Sequence, residues 1–154
     1  MLRVGLISDT HGLLRPEATA FLADSDHIVH AGDVGDPAIL DALAVIAPVT
    51  AIRGNVDTDA WATRLPETTR VTVGGVSIYV LHDLKALDFK PHARGIRVVV
   101  YGHSHKPSVA ERDGVLYVNP GSAGPRRFRL PITAAELLID DNRVSAYIRE
   151  LMPD

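Results

Sequence analysis

Cysteine is missing from all 154 residues, which excludes disulfides, a sulfur-ligated zinc site and a cysteine nucleophile together. The same absence says little about compartment, because a chain without thiols folds in any redox setting. No apolar run approaches the length that spans a bilayer. The opening stretch Leu2 to Ile7 is too short for a signal-peptide core and leads directly into Asp9. A soluble, cytoplasmic protein with no membrane partner is the expectation. Surplus charge is also missing: the net charge of -3 gives no general attraction to nucleic acid or anionic lipid, with Arg126, Arg127 and Arg129 as a local exception. Internal repeats, low-complexity tracts and linkers are absent too. At 46% hydrophobic and 23% charged residues, the composition is that of an ordinary globular chain, and residues 1–154 are expected to form one domain with a real core.

Five short apolar runs dominate what is present. Val4 to Ile7 leads into Asp9 and His11, Ile28 to Val29 into Asp33, and Val49 to Ile52 into Asn55. Val76 to Leu81 then leads into His82, and Val98 to Tyr101 into His103 and His105. Runs of this length and composition read as central strands buried on both faces. Open sheets bind ligands beyond the carboxyl ends of their strands, so seven potential metal ligands would collect along one edge.

Pro16 to Leu22 and Pro37 to Ile46 look helical, each with proline at an early helical position. They separate the first three runs and give a strand-helix-strand-helix-strand opening of the α/β kind. Hairpin signals follow. Gly74-Gly75 lies between Thr69 to Val73 and Val76 to Leu81, and Asp113-Gly114 between Val109 to Arg112 and Leu116 to Val118. Asp141-Asn142 lies between Ala134 to Ile139 and Arg143 to Ile148. The second half therefore adds a second sheet or extends the first. Trp61 to Glu67 reads as a surface loop or mobile flap, and Leu84 to Gly95 as a short helix and loop.

Singly, the ligand motifs are weak. Asp9-Thr10-His11 could be surface polar residues, and Gly32-Asp33 and Gly54-Asn55-Val56-Asp57 are turn vocabulary. Gly102-His103-Ser104-His105 is sharper, because two histidines after a continuous apolar strand are costly decoration for a plain loop. His27 and His30 bracket a strand and are expected to satisfy local hydrogen bonds, with His92 exposed. Asp83 is read as an exposed charge, with steadying His82 as the alternative.

Taken in order, the four motifs plus His82 resemble the calcineurin-like metallophosphoesterase superfamily. The chain length and the Asn119-Pro120-Gly121-Ser122 stretch are most similar to its small YfcE-like phosphodiesterases. The resemblance implies an α/β (α+β) fold, a four-layer α/β/β/α sandwich of two mixed sheets. It implies that Asp9, His11, Asp33 and His105 bind one divalent ion and Asp33, Asn55, His82 and His103 a second, with Asp33 bridging. Catalytic work would fall to Asp33, Asn55, Asp57 and His82. With only nitrogen and oxygen donors, Mn, Fe, Zn, Ni or Co all suit the site, and Mn is favoured. A carboxylate can hold two cations about 3.5–4 Å apart, and a hydroxide bridging them is the nucleophile such sites use on phosphorus. With only Asp9 and Asp33 anionic, the loaded site would keep positive charge and attract a small phosphate ester.

Asp57 is expected to orient a metal-bound imidazole, and Arg53, Arg126 and Arg127 are candidate phosphate donors, with solvated surface arginines as the rival reading. One position departs from the resemblance. Many superfamily members carry histidine after the asparagine of the third motif, where it is thought to protonate the leaving group; this chain has Val56. The expected activity is phosphodiester hydrolysis. The alternatives are a metal-binding scaffold like the retromer subunit of similar fold, or a nuclease, although nucleic acid is not the expected partner. Assembly into a homo-oligomer is compatible with all three.

Overall fold

A computed structural model describes residues 1–153. The strands are β1 (Leu2–Ile7), β2 (His27–His30), β3 (Val49–Ala51), β4 (Thr68–Val73), β5 (Val76–Leu81), β6 (Val98–Val100), β7 (Ser108–Arg112), β8 (Val115–Asn119), β9 (Thr133–Asp140) and β10 (Arg143–Glu150). Two α-helices, α1 (Pro16–Leu22) and α2 (Pro37–Ile46), link the first three strands. Each helix has proline in its first turn, and Asp36 caps α2 by accepting from the Ala38 amide.

The strands form two five-stranded sheets, ordered β10-β9-β1-β2-β3 and β4-β5-β6-β8-β7. Within the first, β1, β2 and β3 are parallel and β9 runs antiparallel to β1. Within the second, β5, β6 and β8 are parallel and the edge strands β4 and β7 run antiparallel. All three expected hairpins form. Their central pairs, Gly74-Gly75, Asp113-Gly114 and Asp141-Asn142, all have positive φ, as the twist-matched two-residue turn requires. The second half of the chain does both things left open: β4 to β8 build a second sheet, and the β9–β10 hairpin extends the first.

Alternation along the strands explains the layers. Val4 and Leu6 of β1 point between the sheets with Val29, Ile78, Val98, Val118 and Leu137, while Ile7 points outward to Leu22 and Leu43 of the helices. The opposite outer face, around Val99, Val115 and Tyr117, is covered by Leu84, Leu87 and Phe89. Those residues sit in and between two single 3-10 turns, Leu84–Ala86 and Pro91–Arg94. The sandwich of two mixed sheets stands, and these turns form its fourth layer where a short helix and loop are expected.

The segment after Asn55 is also better ordered than expected of a flap. Ala60–Arg64 forms a 3-10 helix, Ala62 is buried and Trp61 packs on the helix-side core. No helix among the described residues is long and apolar enough to cross a membrane.

Candidate metal centre

Loops from both sheets meet at the carboxyl ends of the parallel strands. The loops after β1 and β2 prolong the sheet: Asp9 N–H donates to Gly32 O (3.0 Å), His11 N–H to Asp33 O (2.9 Å) and Gly12 N–H to Val34 O (2.9 Å). In the second sheet Gly102 N–H donates to His82 O at 2.9 Å. Glycines let the loops close on the carboxylates. A Cβ on Gly54 would lie 2.2 Å from Asp33 Oδ1, and one on Gly102 would lie 2.7 Å from Asp9 Oδ2.

All seven candidate ligands are brought together. His105 Nε2 is 3.5 Å from Asp9 Oδ1 and 3.3 Å from His11 Nε2, which is itself 3.7 Å from Asp33 Oδ2. His82 Nε2 is 3.1 Å from Asp33 Oδ2 and 3.8 Å from Asp9 Oδ1. Asn55 Nδ2 and His103 Nδ1 are 3.3 Å apart at the exposed rim. The tightest clusters are Asp9 with His11 and His105, and Asp9 with Asp33 and His82, so Asp9 as well as Asp33 lies at the junction.

Five of the seven, Asp9, His11, Asp33, His103 and His105, have φ between +47° and +72°. Left-handed backbone costs an ordinary residue about 1–2 kcal/mol, and such outliers concentrate at functional sites. Stretches of sequence as short as Asp-Thr-His carry no mark of that conformation.

Residues 2–142 match the calcineurin-like phosphoesterase superfamily domain. The chain belongs to that superfamily. It is 34% identical over 157 residues to a probable metallophosphoesterase of Methanothermobacter thermautotrophicus, covering 94% of this chain and 90% of the relative. In three dimensions it is similar to an archaeal phosphodiesterase, with a TM-score of 0.78 at 22% identity over 96% of this chain and 100% of the other. It is similar also to Vps29 of Entamoeba histolytica in complex with zinc, with a TM-score of 0.73 at 21% identity over 98% of this chain and 100% of the other.

The relative's name, metallophosphoesterase, implies a metal, and the donors of this site fit one. Asp9 Oδ1, His82 Nε2 and His105 Nδ1 are buried with no hydrogen-bond partner among the described residues. Close as His82 Nε2 is to Asp33, the two are not aligned for a hydrogen bond. Buried polar atoms are rarely left so, and a cation held at Asp9 Oδ1 and His82 Nε2 would remove the penalty at those two. His82 Nδ1–H donates to Ala31 O at 2.7 Å, leaving Nε2 as the inward donor, as metal-binding imidazoles require.

Electrostatics agree. Burial pushes the Asp9 carboxyl up to about 7 despite the nearby His82. Burial disfavours charge on Asp33 and His82 as well, yet their close approach, together with the Val56 amide on Asp33 and the Ala31 carbonyl on His82, prevails, holding Asp33 at about 2 and raising His82 to about 9. Burial and the Arg127 charge bring His105 down to about 4, and the same two causes lower His11.

The supporting residues differ from expectation. Asp57 faces no imidazole donor; its carboxylate accepts from the backbone amides of Val34 (3.0 Å), Gly35 (2.9 Å) and Gly54 (2.9 Å), tying the second and third loops together. Asp57→Ala is expected to lower stability by about 3 kcal/mol or more, because three amides lose a charged acceptor; urea denaturation of the metal-free protein measures it, and a loss below 1 kcal/mol would contradict this role. Asp83 sits near His103 (3.9 Å), not against His82, and caps the Leu84–Ala86 turn. Arg53 donates to Glu67 Oε1 at 3.1 Å, so its guanidinium is engaged by a carboxylate. Arg126 and Arg127 lie on the exposed loop 125–129, and Arg127 is the one whose charge reaches His11 and His105.

One residue has a role the sequence reading lacks, and another, His30, makes the expected local hydrogen bond and a distant one besides. Asn119 donates to Gly102 O and Ser104 Oγ, both at 3.1 Å, and so holds the fourth loop. Its signal was the Asn-Pro-Gly-Ser stretch, read only as a family mark. His30 is fully buried; Gly32 N–H donates to its Nδ1 (3.2 Å). Since the Thr10 hydroxyl donates to Val34 O (2.8 Å), His30 Nε2–H donates to Thr10 Oγ1 (3.0 Å), bracing the first loop against the second. That arrangement needs a neutral ring, and burial lowers His30 to about 4. His27 bonds Thr50 and His92 is exposed, both as expected.

Proposed function

We propose that this superfamily member is a phosphodiesterase acting on a small phosphate ester with two divalent ions, Mn being the favoured metal. The observation that carries the reading is the convergence of Asp9, His11, Asp33, His82 and His105 from both sheets around buried atoms that lack partners, with Asn55 and His103 at the rim. Asp9, His11 and His105 would hold one ion, and Asn55, His82 and His103 the other. Asp33 would serve both, since its Oδ2 approaches His11 and His82 alike. Bound together, such ions supply a hydroxide at near-neutral pH and neutralise charge growing on the phosphoryl oxygens.

The remaining work belongs to the chain. Asp9 and Asp33 contribute two negative charges against four from the metals, so an anionic ester is drawn in. Asn55 offers a carbonyl oxygen that leaves this balance intact. Arg127, on the exposed loop beside His11 and His105, adds positive charge where the phosphoryl oxygens would lie. Val56 is half exposed next to Asn55 and donates only its backbone amide, to Asp33 Oδ1 at 3.0 Å. No proton reaches the leaving oxygen from that side chain, so esters with acidic leaving groups are favoured.

The test is turnover of bis(p-nitrophenyl) phosphate by the Mn-loaded protein. Val56→His should raise kcat for a diester with an alkyl leaving group by about 10²-fold, the lower range of general-acid catalysis, and should change the p-nitrophenyl substrate far less. Bound metal with no turnover of any ester would instead favour a scaffold.

A further inference from the structure

A cavity of about 300 Å³ opens directly beside Asn55 and His82. Its remaining wall joins the segment after β3 to the start of β4 and the turn after β5: Arg53, Glu67, Thr68 and Asp83 contribute polar groups, Leu81 and Ala86 apolar ones. This volume lies at the small end of ligand pockets, enough for one ring or a short chain.

The Arg53–Glu67 pair gives the cavity its chemical character. Arg53 Nη2 donates to Glu67 Oε1 at 3.1 Å, which leaves further guanidinium N–H donors next to carboxylate lone pairs. The Arg53 backbone amide also donates to Pro66 O at 3.0 Å, so the two partners are set by the backbone as well as by each other. An anionic group entering here meets Glu67 and Asp83, and a cationic one meets Arg53. A hydroxyl both donates and accepts, and two neighbouring hydroxyls can bridge the pair without opposing either charge. Thr68 adds a third polar contact, while Leu81 and Ala86 offer surface to the C–H side of a carbohydrate-like group.

We propose that this cavity receives a hydroxylated arm, glycerol-like or a single sugar, of the phosphate ester whose phosphorus lies at Asn55 and His82, and that Glu67 and Arg53 select it. The assignment rests on the phosphoesterase reading for where the phosphate sits. It makes Glu67 a specificity residue acting on the arm and not on phosphorus.

Isothermal titration of the Mn-loaded full chain compares glycerol 3-phosphate with propyl phosphate, which carries the same charge and lacks only the two hydroxyls. Glycerol 3-phosphate should bind about tenfold more tightly, the scale of one hydrogen bond to a charged group. In Glu67→Ala, and in the shape-preserving Glu67→Gln, the ratio should fall to within about twofold. Equal affinities in the unaltered protein, or a ratio that survives both substitutions, would overturn the assignment. Turnover of the p-nitrophenyl diesters of the same two arms is measured alongside. Selective binding without turnover would remove the enzyme and leave the cavity assignment standing; turnover without selective binding would do the reverse.

Discussion

Asp33→Asn is expected to cut hydrolysis of bis(p-nitrophenyl) phosphate by about 10³-fold or more and to reduce bound metal from two ions toward one. Asp33 stands within 3.7 Å of His11 and 3.1 Å of His82, so its carboxylate is the group placed to serve both clusters. The amide that replaces it keeps the volume and one acceptor oxygen, but removes the charge that would hold two cations at the spacing phosphoryl displacement needs. A 10³-fold loss corresponds to about 4 kcal/mol of barrier, reasonable where nucleophile formation and charge neutralisation fail together. The backbone should tolerate the change, since Asn also adopts the left-handed φ of +56° found here. Elemental analysis and steady-state rates on the same preparation check both halves of the expectation. Unchanged stoichiometry with unchanged rate would end the bridging role.

Metal affinity is expected to climb steeply with pH. Two of the candidate ligands hold protons that an ion would have to displace: the Asp9 carboxyl, raised to about 7, and the His82 imidazole, raised to about 9. Below pH 7 both protons have to leave, and the apparent association constant should rise about 100-fold per pH unit. Between pH 7 and 9 only the His82 proton remains, giving about tenfold per unit, and above 9 the curve should flatten. His105, lowered to about 4, is already free of its proton throughout this range, and Asp33 at about 2 is already ionised. Titration calorimetry in buffers of different ionisation enthalpy should count close to two protons released from these side chains at pH 6 and one at pH 8, with the proton lost by metal-bound water added where hydroxide forms. An affinity that does not move between pH 6 and 9 would show that these two groups are not ligands.

Much of this architecture was legible in the sequence because it is written locally. Apolar runs such as Val98 to Tyr101 announce buried strands, and pairs such as Gly74-Gly75 announce tight hairpins. The placement of Asp9, Asp33, Asn55, His82 and His103 after such runs assigns the donors to one edge from sequence alone. What was not legible depends on partners far apart in the chain. His30 braces Thr10 twenty residues away, and Asn119 holds Gly102 from seventeen; neither leaves a periodic trace. Asp57 was misread for the same reason, since three backbone amides are invisible in a list of side chains. Trp61 looked like loop material because its packing partners lie on the helices. The layer over β6 and β8 is made of single turns, which lack the length for a helical period to show.

The origin of the donors has a mechanical consequence. Asp9, His11, Asp33 and Asn55 hang from the first sheet, whereas His82, His103 and His105 hang from the second. Ions shared among them would fasten the two halves of the sandwich at one rim, like a clasp on a book whose pages are the apolar interior. Chelation should therefore loosen that rim first: amide hydrogen exchange would quicken around residues 9–12, 32–35 and 102–105, while the central strands stay protected.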